Sequence, residues 1–213
     1  MKVALIGASG MIGSRILEEL VSREYEVTAV VRNPSKVEGR EGVKVVKGDV
    51  SDGRALEEIL EGADALISAY SPPNGAEQQL IEITRGILAA AREAGVRRVI
   101  VVGGAASLFV STGVTLLESG ALPEQWKAIA GAHRDLLELL RGSNAAVGLD
   151  WTYFSPAGLI EPGERKGTFR LGKDHLVVDD GGQSRISAED YAIALVDELE
   201  QPRYVRERFT VGY

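Results

Sequence analysis

The sequence predicts an α/β fold: a doubly wound, mostly parallel sheet with helices on both faces and a small C-terminal lobe over residues 156–186, all within one domain spanning 1–213. Three observations predict it. Short β-branched runs alternate with amphipathic segments up to Gly103, the pattern of repeated strand–helix–strand units. The runs are apolar almost throughout rather than at every second residue, as strands covered on both faces require. Three glycines spaced three apart, Gly7, Gly10 and Gly13, stand where the first run ends.

The elements follow in order. "KVALIG", "EVTAVV", "VKVVKG", "DALISA" and "RRVIVVG" read as five strands, and segments 11–22, 53–61 and 75–94 supply right-handed crossovers between them. Residues 104–123 form a long loop punctuated by Gly and Ser, too long for a neutral connector and expected to be functional. Pro123 opens a helix to about Arg141, with Trp126, Ile129, Ala130, His133, Leu136, Leu137 and Leu140 on one face. "WTYFSPA" reads as a sixth strand, residues 161–185 as polar and built of short strands, and "ERFTVGY" as the last strand. Between them Ser187, three residues before Asp190, is placed to cap a helix that Pro202 ends.

Composition narrows the function classes. With 213 residues the chain buries roughly 70% of its unfolded surface, so it needs no staple. It has no Cys and two His, which removes disulfides and thiolate catalysis and argues against a multi-histidine metal site. A net charge of −7 disfavours a nucleic-acid partner, and Arg97-Arg98 reads as a solvated flank. The segment before Gly7 is short of a signal-peptide core or a membrane span, so a soluble, cytoplasmic protein is expected, with no membrane partner.

The glycine order carries the chemistry. A first glycine permits the tight turn, a second lets backbone N–H groups approach a pyrophosphate at the helix start, and a third lets helix pack on strand, as in the Rossmann dinucleotide-binding unit. The spacing here is G-x-x-G-x-x-G, and its position at the opening of a βαβ unit favours a phosphate cradle over plain turns. About 20 residues on, where a carboxylate would bind the ribose of NAD, stands Arg32. Its guanidinium suits the 2′-phosphate of NADP, so NADP(H) is expected over NAD(H); otherwise it is an exposed strand-end residue. Asp49, after the third strand, either accepts from the adenine amino group or caps the next turn.

On "GASGMIG", "VVRNPSK", "KGDVSD", "SAYSPP" and "VVGGAASL", followed by "LDWTYFSPAGLIEPG" and "RISAEDYAIALVDELE", the chain resembles the atypical short-chain dehydrogenase/reductase superfamily. The similarity covers nearly the whole length and points to the NmrA-like and NADH-flavin reductase branch, with biliverdin reductase B more distant. It implies cofactor contacts at Gly7, Ser9, Gly10, Met11, Ile12, Gly13, Arg32, Asp49, Val50 and Ala69, and at Ser155 and Pro156 beside the nicotinamide. It implies a small-molecule acceptor, with flavin as a possible substrate, and a monomer or homodimer. The superfamily's Tyr-x-x-x-Lys proton relay is missing: Ile129 and His133 stand at the corresponding positions.

His133 is then either a satisfied core histidine or a proton donor or orienting group near the nicotinamide. Ser107, at the carboxyl end of the fifth strand, either bonds the substrate carbonyl, as its superfamily counterpart does, or forms a turn. The histidine that flavin reductases carry soon after Pro156 is replaced by Ala157 or Gly158. "GTFRLGKD" ends in Asp174 where a nucleotide loop needs Ser or Thr, and it alternates like a strand. The expected activity is NAD(P)H-dependent hydride transfer to a flat acceptor. The alternatives are a non-catalytic NAD(P) sensor of the NmrA kind and a sugar-nucleotide epimerase or dehydratase.

Overall fold

The computed structural model describes residues 1–142 and 144–213. The chain runs β1 (Lys2–Ile6), α1 (Met11–Ser22), β2 (Glu26–Val31), β3 (Val43–Lys47), α2 (Gly53–Leu60), β4 (Ala65–Ser68), α3 (Gln79–Glu93) and β5 (Arg98–Val102). It continues through β6 (Phe109–Ser111), β7 (Val114–Thr115), α4 (Glu124–Gly142), β8 (Asp150–Ser155), β9 (Leu159–Glu161), β10 (Arg170–Gly172), β11 (Arg185–Ser187), α5 (Ala188–Glu200) and β12 (Glu207–Gly212). The central sheet has the order β10-β12-β8-β5-β4-β1-β2-β3, parallel except for β10. The order reverses between β1 and β4, and ligands of such sheets bind at that switch point, at the carboxyl ends of the strands.

Alternation along each strand divides the core into two layers. Val3 and Leu5 of β1 pack with Ile16, Leu17 and Leu20 of α1 and with Tyr191 and Leu195 of α5. Ala4 and Ile6 face the other way, onto Leu56 and Leu60 of α2, Leu80, Ile87 and Leu88 of α3, and Leu136, Leu137 and Leu140 of α4. Each such fully buried Leu or Ile contributes about 1.5–3 kcal/mol over its exposed state. Among the described residues no helix is long and apolar enough to cross a membrane.

Two local expectations change. Arg97 is exposed, but Arg98 is not a solvated flank: its guanidinium donates to Thr152 Oγ1 (2.7 Å) and to Glu198 Oε1 (2.9 Å). The loop 104–123 contains the β6–β7 hairpin, turned at Gly113 with φ of 74° and pinned to the C-terminal segment by Phe109 N–H donating to the Asp174 carbonyl (2.8 Å). Residues 156–186 contribute strands to two sheets. Their β10 extends the central sheet along β12, and only β9 and β11 pair apart from it.

The end of that segment is fixed by the cap on α5. Ser187 Oγ accepts from Asp190 N–H (3.0 Å), and the Asp190 carboxylate accepts from Gly167 N–H (2.9 Å) and Tyr213 Oη (2.8 Å). The "GTFRLGKD" stretch is strand β10 and its approach, so Asp174 is free for another role.

Candidate functional site

The mouth of the first crossover is built from the glycines. Gly7 has φ of 81°, and a Cβ there would lie 2.4 Å from the Ala69 carbonyl oxygen; a Cβ on Gly13 would lie 2.1 Å from the Gly7 carbonyl oxygen. These two are therefore required by the chain's own packing of β1 on α1 and β4. Gly10 differs. A Cβ there would meet only the Gly7 oxygen, at 3.3 Å, a tight contact that a shift of a few tenths of an ångström would relieve.

Gly10 is the N-cap of α1, with no side chain bonding the first-turn N–H groups and no acidic residue in that turn. The positive end of the helix is thus left bare beside a cleft of about 180 Å³. Gly7, Ser9, Gly10, Arg32, Val50 and Ala69 line that cleft, joined by Tyr70 and Ser71. A glycine cradle under an uncapped helix start fits a diphosphate. These residues would hold NAD(P)H.

Other sequence-derived cofactor residues lie outside the walls of this cleft. Met11 is exposed and Ile12 half-buried in the first turn of α1, where their backbone contributes to the helix end. Asp49 is turned toward its own loop, where Oδ1 accepts from Ser51 N–H (3.0 Å) and Oγ (2.7 Å). Those bonds, with the field of Arg32, hold its carboxyl below the usual range. At the end of β8, the Pro156 carbonyl accepts from Thr210 Oγ1 (3.2 Å). Ser155 is fully buried and its hydroxyl has no hydrogen-bond partner, an orphan at the ligand-binding edge of the sheet.

His133 sits on the inward side of α4 against Gly104, where a Cβ would come within 2.8 Å of the His133 Cβ. Tyr153 Oη accepts from Gly104 N–H (2.9 Å) and donates to the His133 carbonyl (2.8 Å), with His133 Nδ1 at 3.4 Å. Burial lowers the His133 pKa to about 4. A neutral imidazole at physiological pH carries one donor N–H and is no proton donor of the imidazolium kind. His133 belongs with Tyr153 and the Gly103–Gly104 pair, which orient the end of β5.

This environment predicts that an NMR titration finds His133 neutral from pH 8 to 5, with a midpoint near 4. Because the folded pKa is lowered, the unfolded chain takes up this proton first, and stability from this group is lost as pH falls from about 6.5 toward 4. A midpoint near 6.5 would contradict the burial.

Ser107 is held by a network the sequence did not reveal. Its Oγ accepts from Arg208 Nη1 (3.0 Å), and Arg208 donates through Nε to Asp174 Oδ1 (3.0 Å), which also pairs with Arg141 (3.2 Å). While its oxygen accepts from the guanidinium, the Ser107 hydroxyl keeps its own O–H as a donor. Neither Ser107 nor His133 walls the cofactor cleft. Of the apolar residues nearby, Leu108 is core, Phe109 lies against the His175 ring at 5.5 Å, and Trp126 is 54% exposed.

Trp126 instead walls a second cleft, of about 330 Å³, with Ser71, Pro72, Asn74, Glu77, Gln125 and Ile129. Ser71 lines both clefts, so the two adjoin. Among the described residues no cluster of His, Cys, Asp or Glu is placed to hold a metal ion.

Comparison with known proteins agrees with this geometry. The NAD(P)H-binding family matches residues 7–202. The protein YwnB of Bacillus subtilis (strain 168), itself uncharacterized, is 39% identical over 99% of this chain and 98% of its own. A structure from Bacteroides thetaiotaomicron described as a "putative epimerase" is 45% identical, with a TM-score of 0.93 over 100% of this chain and 96% of that one. A "putative NADH-flavin reductase" from Streptococcus pneumoniae TIGR4 is 35% identical, with a TM-score of 0.82 over 100% and 99%. With its glycine mouth at the switch point of a Rossmann sheet, this chain belongs to the NAD(P)H-binding family, on an oxidoreductase-type fold.

Proposed function

We propose that the chain is an NADPH-dependent reductase that passes hydride to a flat, electron-poor acceptor such as a flavin or a quinone. The observation that carries this reading is that a cleft fitted to the diphosphate of a dinucleotide shares Ser71 with one walled by an exposed indole. Bound NADPH supplies the hydride; the acceptor gains two electrons and, with one proton from solvent, ends as its dihydro form. Such a transfer needs stacking at close approach more than a dedicated proton donor, which suits a site where Ile129 and His133 replace Tyr and Lys.

The same replacement weighs against an epimerase or dehydratase. It also favours a second reading, a cofactor sensor without turnover. Stopped-flow oxidation of NADPH with riboflavin, FMN, FAD and quinones separates the two: an acceptor-dependent rate supports the reductase, and none above background supports the sensor. Cytoplasmic action on a small molecule, without nucleic acid or membrane and as a monomer or homodimer, belongs to the same proposal.

NADP preference rests on Arg32, which is exposed at the rim of the cleft, its charge felt at Asp49 and Tyr70. Arg32→Ala is expected to weaken NADPH binding about tenfold or more while leaving NADH binding within about twofold. Fluorescence titration with both nucleotides checks this, and equal losses for the two would retire the assignment.

A further inference from the structure

We infer, on the basis of the reductase reading, that the Trp126 cleft takes an uncharged planar ring stacked on the indole and selects against acceptors that carry phosphate. The cleft lies between the loop after β4, which supplies Ser71, Pro72, Asn74 and Glu77, and the start of α4, which supplies Trp126 and Ile129. At about 330 Å³ it stands at the small end of ligand sites, enough for a two- or three-ring nucleus.

The indole is the natural platform for such a ring. Trp126 is 54% exposed although it begins a stripe whose later members Leu136, Leu137 and Leu140 are buried, whereas Trp151 is 5% exposed and belongs to the core. Apolar aromatic surface left bare beside a cleft gains by stacking a flat partner. The polar groups of the wall are the amides of Asn74 and Gln125 and the Ser71 hydroxyl, suited to the carbonyls and ring nitrogens of an uncharged heterocycle or quinone.

Charge sets the selection. Among the described residues Glu77 is the one ionisable side chain in the wall, and its Oε1 accepts from Gly75 N–H (2.9 Å). Backbone N–H groups of Gly75 and of Glu77 itself hold the carboxyl below its usual range, so it is ionised at neutral pH. The nearest lysine of α4, Lys127, is paired with Glu124 at 2.6 Å. Among the described residues no cation of the wall offsets Glu77, and a phosphate tail entering here meets a like charge.

The test compares riboflavin, FMN and FAD as acceptors with NADPH at low ionic strength, on the wild type, Glu77→Gln and Trp126→Ala. Quenching of indole fluorescence by riboflavin is followed in parallel without NADPH. The expected result is a KM for riboflavin about tenfold below that for FMN at similar kcat, narrowing to within about twofold in Glu77→Gln and in high salt. Saturable quenching in the wild type is expected to be lost in Trp126→Ala. Turnover of FMN equal to or better than riboflavin overturns this inference and leaves the reductase reading standing. If no acceptor turns over, the reductase reading fails, and quenching alone decides the cleft: saturable loss through Trp126 supports it, and none overturns it.

Discussion

Gly10→Asp is expected to make the protein more stable and nearly unable to bind NADPH. Gly10 already has N-cap dihedrals, φ of −80° and ψ of 170°, without a side chain to bond the first-turn N–H groups. An Asp there would supply that bond and a negative charge at the positive helix end, together worth about 0.5–1 kcal/mol. The melting temperature would rise by about 1–4 °C. The same carboxylate would occupy the place of the diphosphate and repel it, and a loss of at least about 10²-fold in affinity is expected, near 2.7 kcal/mol. Gly13→Ala should show the opposite sign in stability, falling by about 1–3 kcal/mol, because its Cβ would drive into the Gly7 carbonyl at 2.1 Å. Thermal melts and calorimetric titration of the two variants check both halves. An Asp variant that binds NADPH within threefold of the wild type would remove the diphosphate from this mouth.

Arg208→Met is expected to lower stability by roughly 2–3 kcal/mol, a fall of about 4–12 °C in melting temperature. The Arg208 side chain is 2% exposed and spans three distant segments, bonding Asp174 of the C-terminal segment and Ser107 of the loop after β5. Removing it leaves Asp174 short of its main partner, although Arg141 and partial exposure soften the loss. The pH dependence carries a matching sign. Burial pushes the Asp174 carboxyl up, but Arg208 and Arg141 more than offset this and hold it below its ordinary value. The pair therefore stabilises the fold above about pH 4 and is lost as pH falls through the lowered pKa. The variant should lose less stability than the wild type on acidification below pH 4, and parallel acid melts of the two proteins would contradict the account.

The core architecture was legible because its signals are local. Apolar runs gave β1 to β5, the glycine spacing gave the start of α1, and Ser187 three residues before Asp190 gave the cap of α5. The hairpin at 109–115 carried a signal as well, Thr112-Gly113 between β-branched residues, which the length of the loop concealed. Contacts between remote segments left no such trace. Arg98 is buried because Glu198 lies across from it, one hundred residues later, and Ser107 is fixed by Arg208 at a similar separation.

Helical periodicity marked the face of α4 but not where the core ends along it. The stripe continues to Trp126, past the edge of the packed layer, and so the indole is open. For His133 the sequence identified the inward position. Its neutrality depends on burial beside Gly104 and Tyr153, a tertiary property.

Isothermal titration of the purified protein with NADPH and then NADH tests the central claim most directly. Saturable binding of NADPH with Kd below about 100 μM, tighter than NADH and abolished in Gly10→Asp, is the predicted result. Absence of binding heat for both nucleotides at millimolar concentration, or binding untouched by the Gly10 substitution, would contradict it.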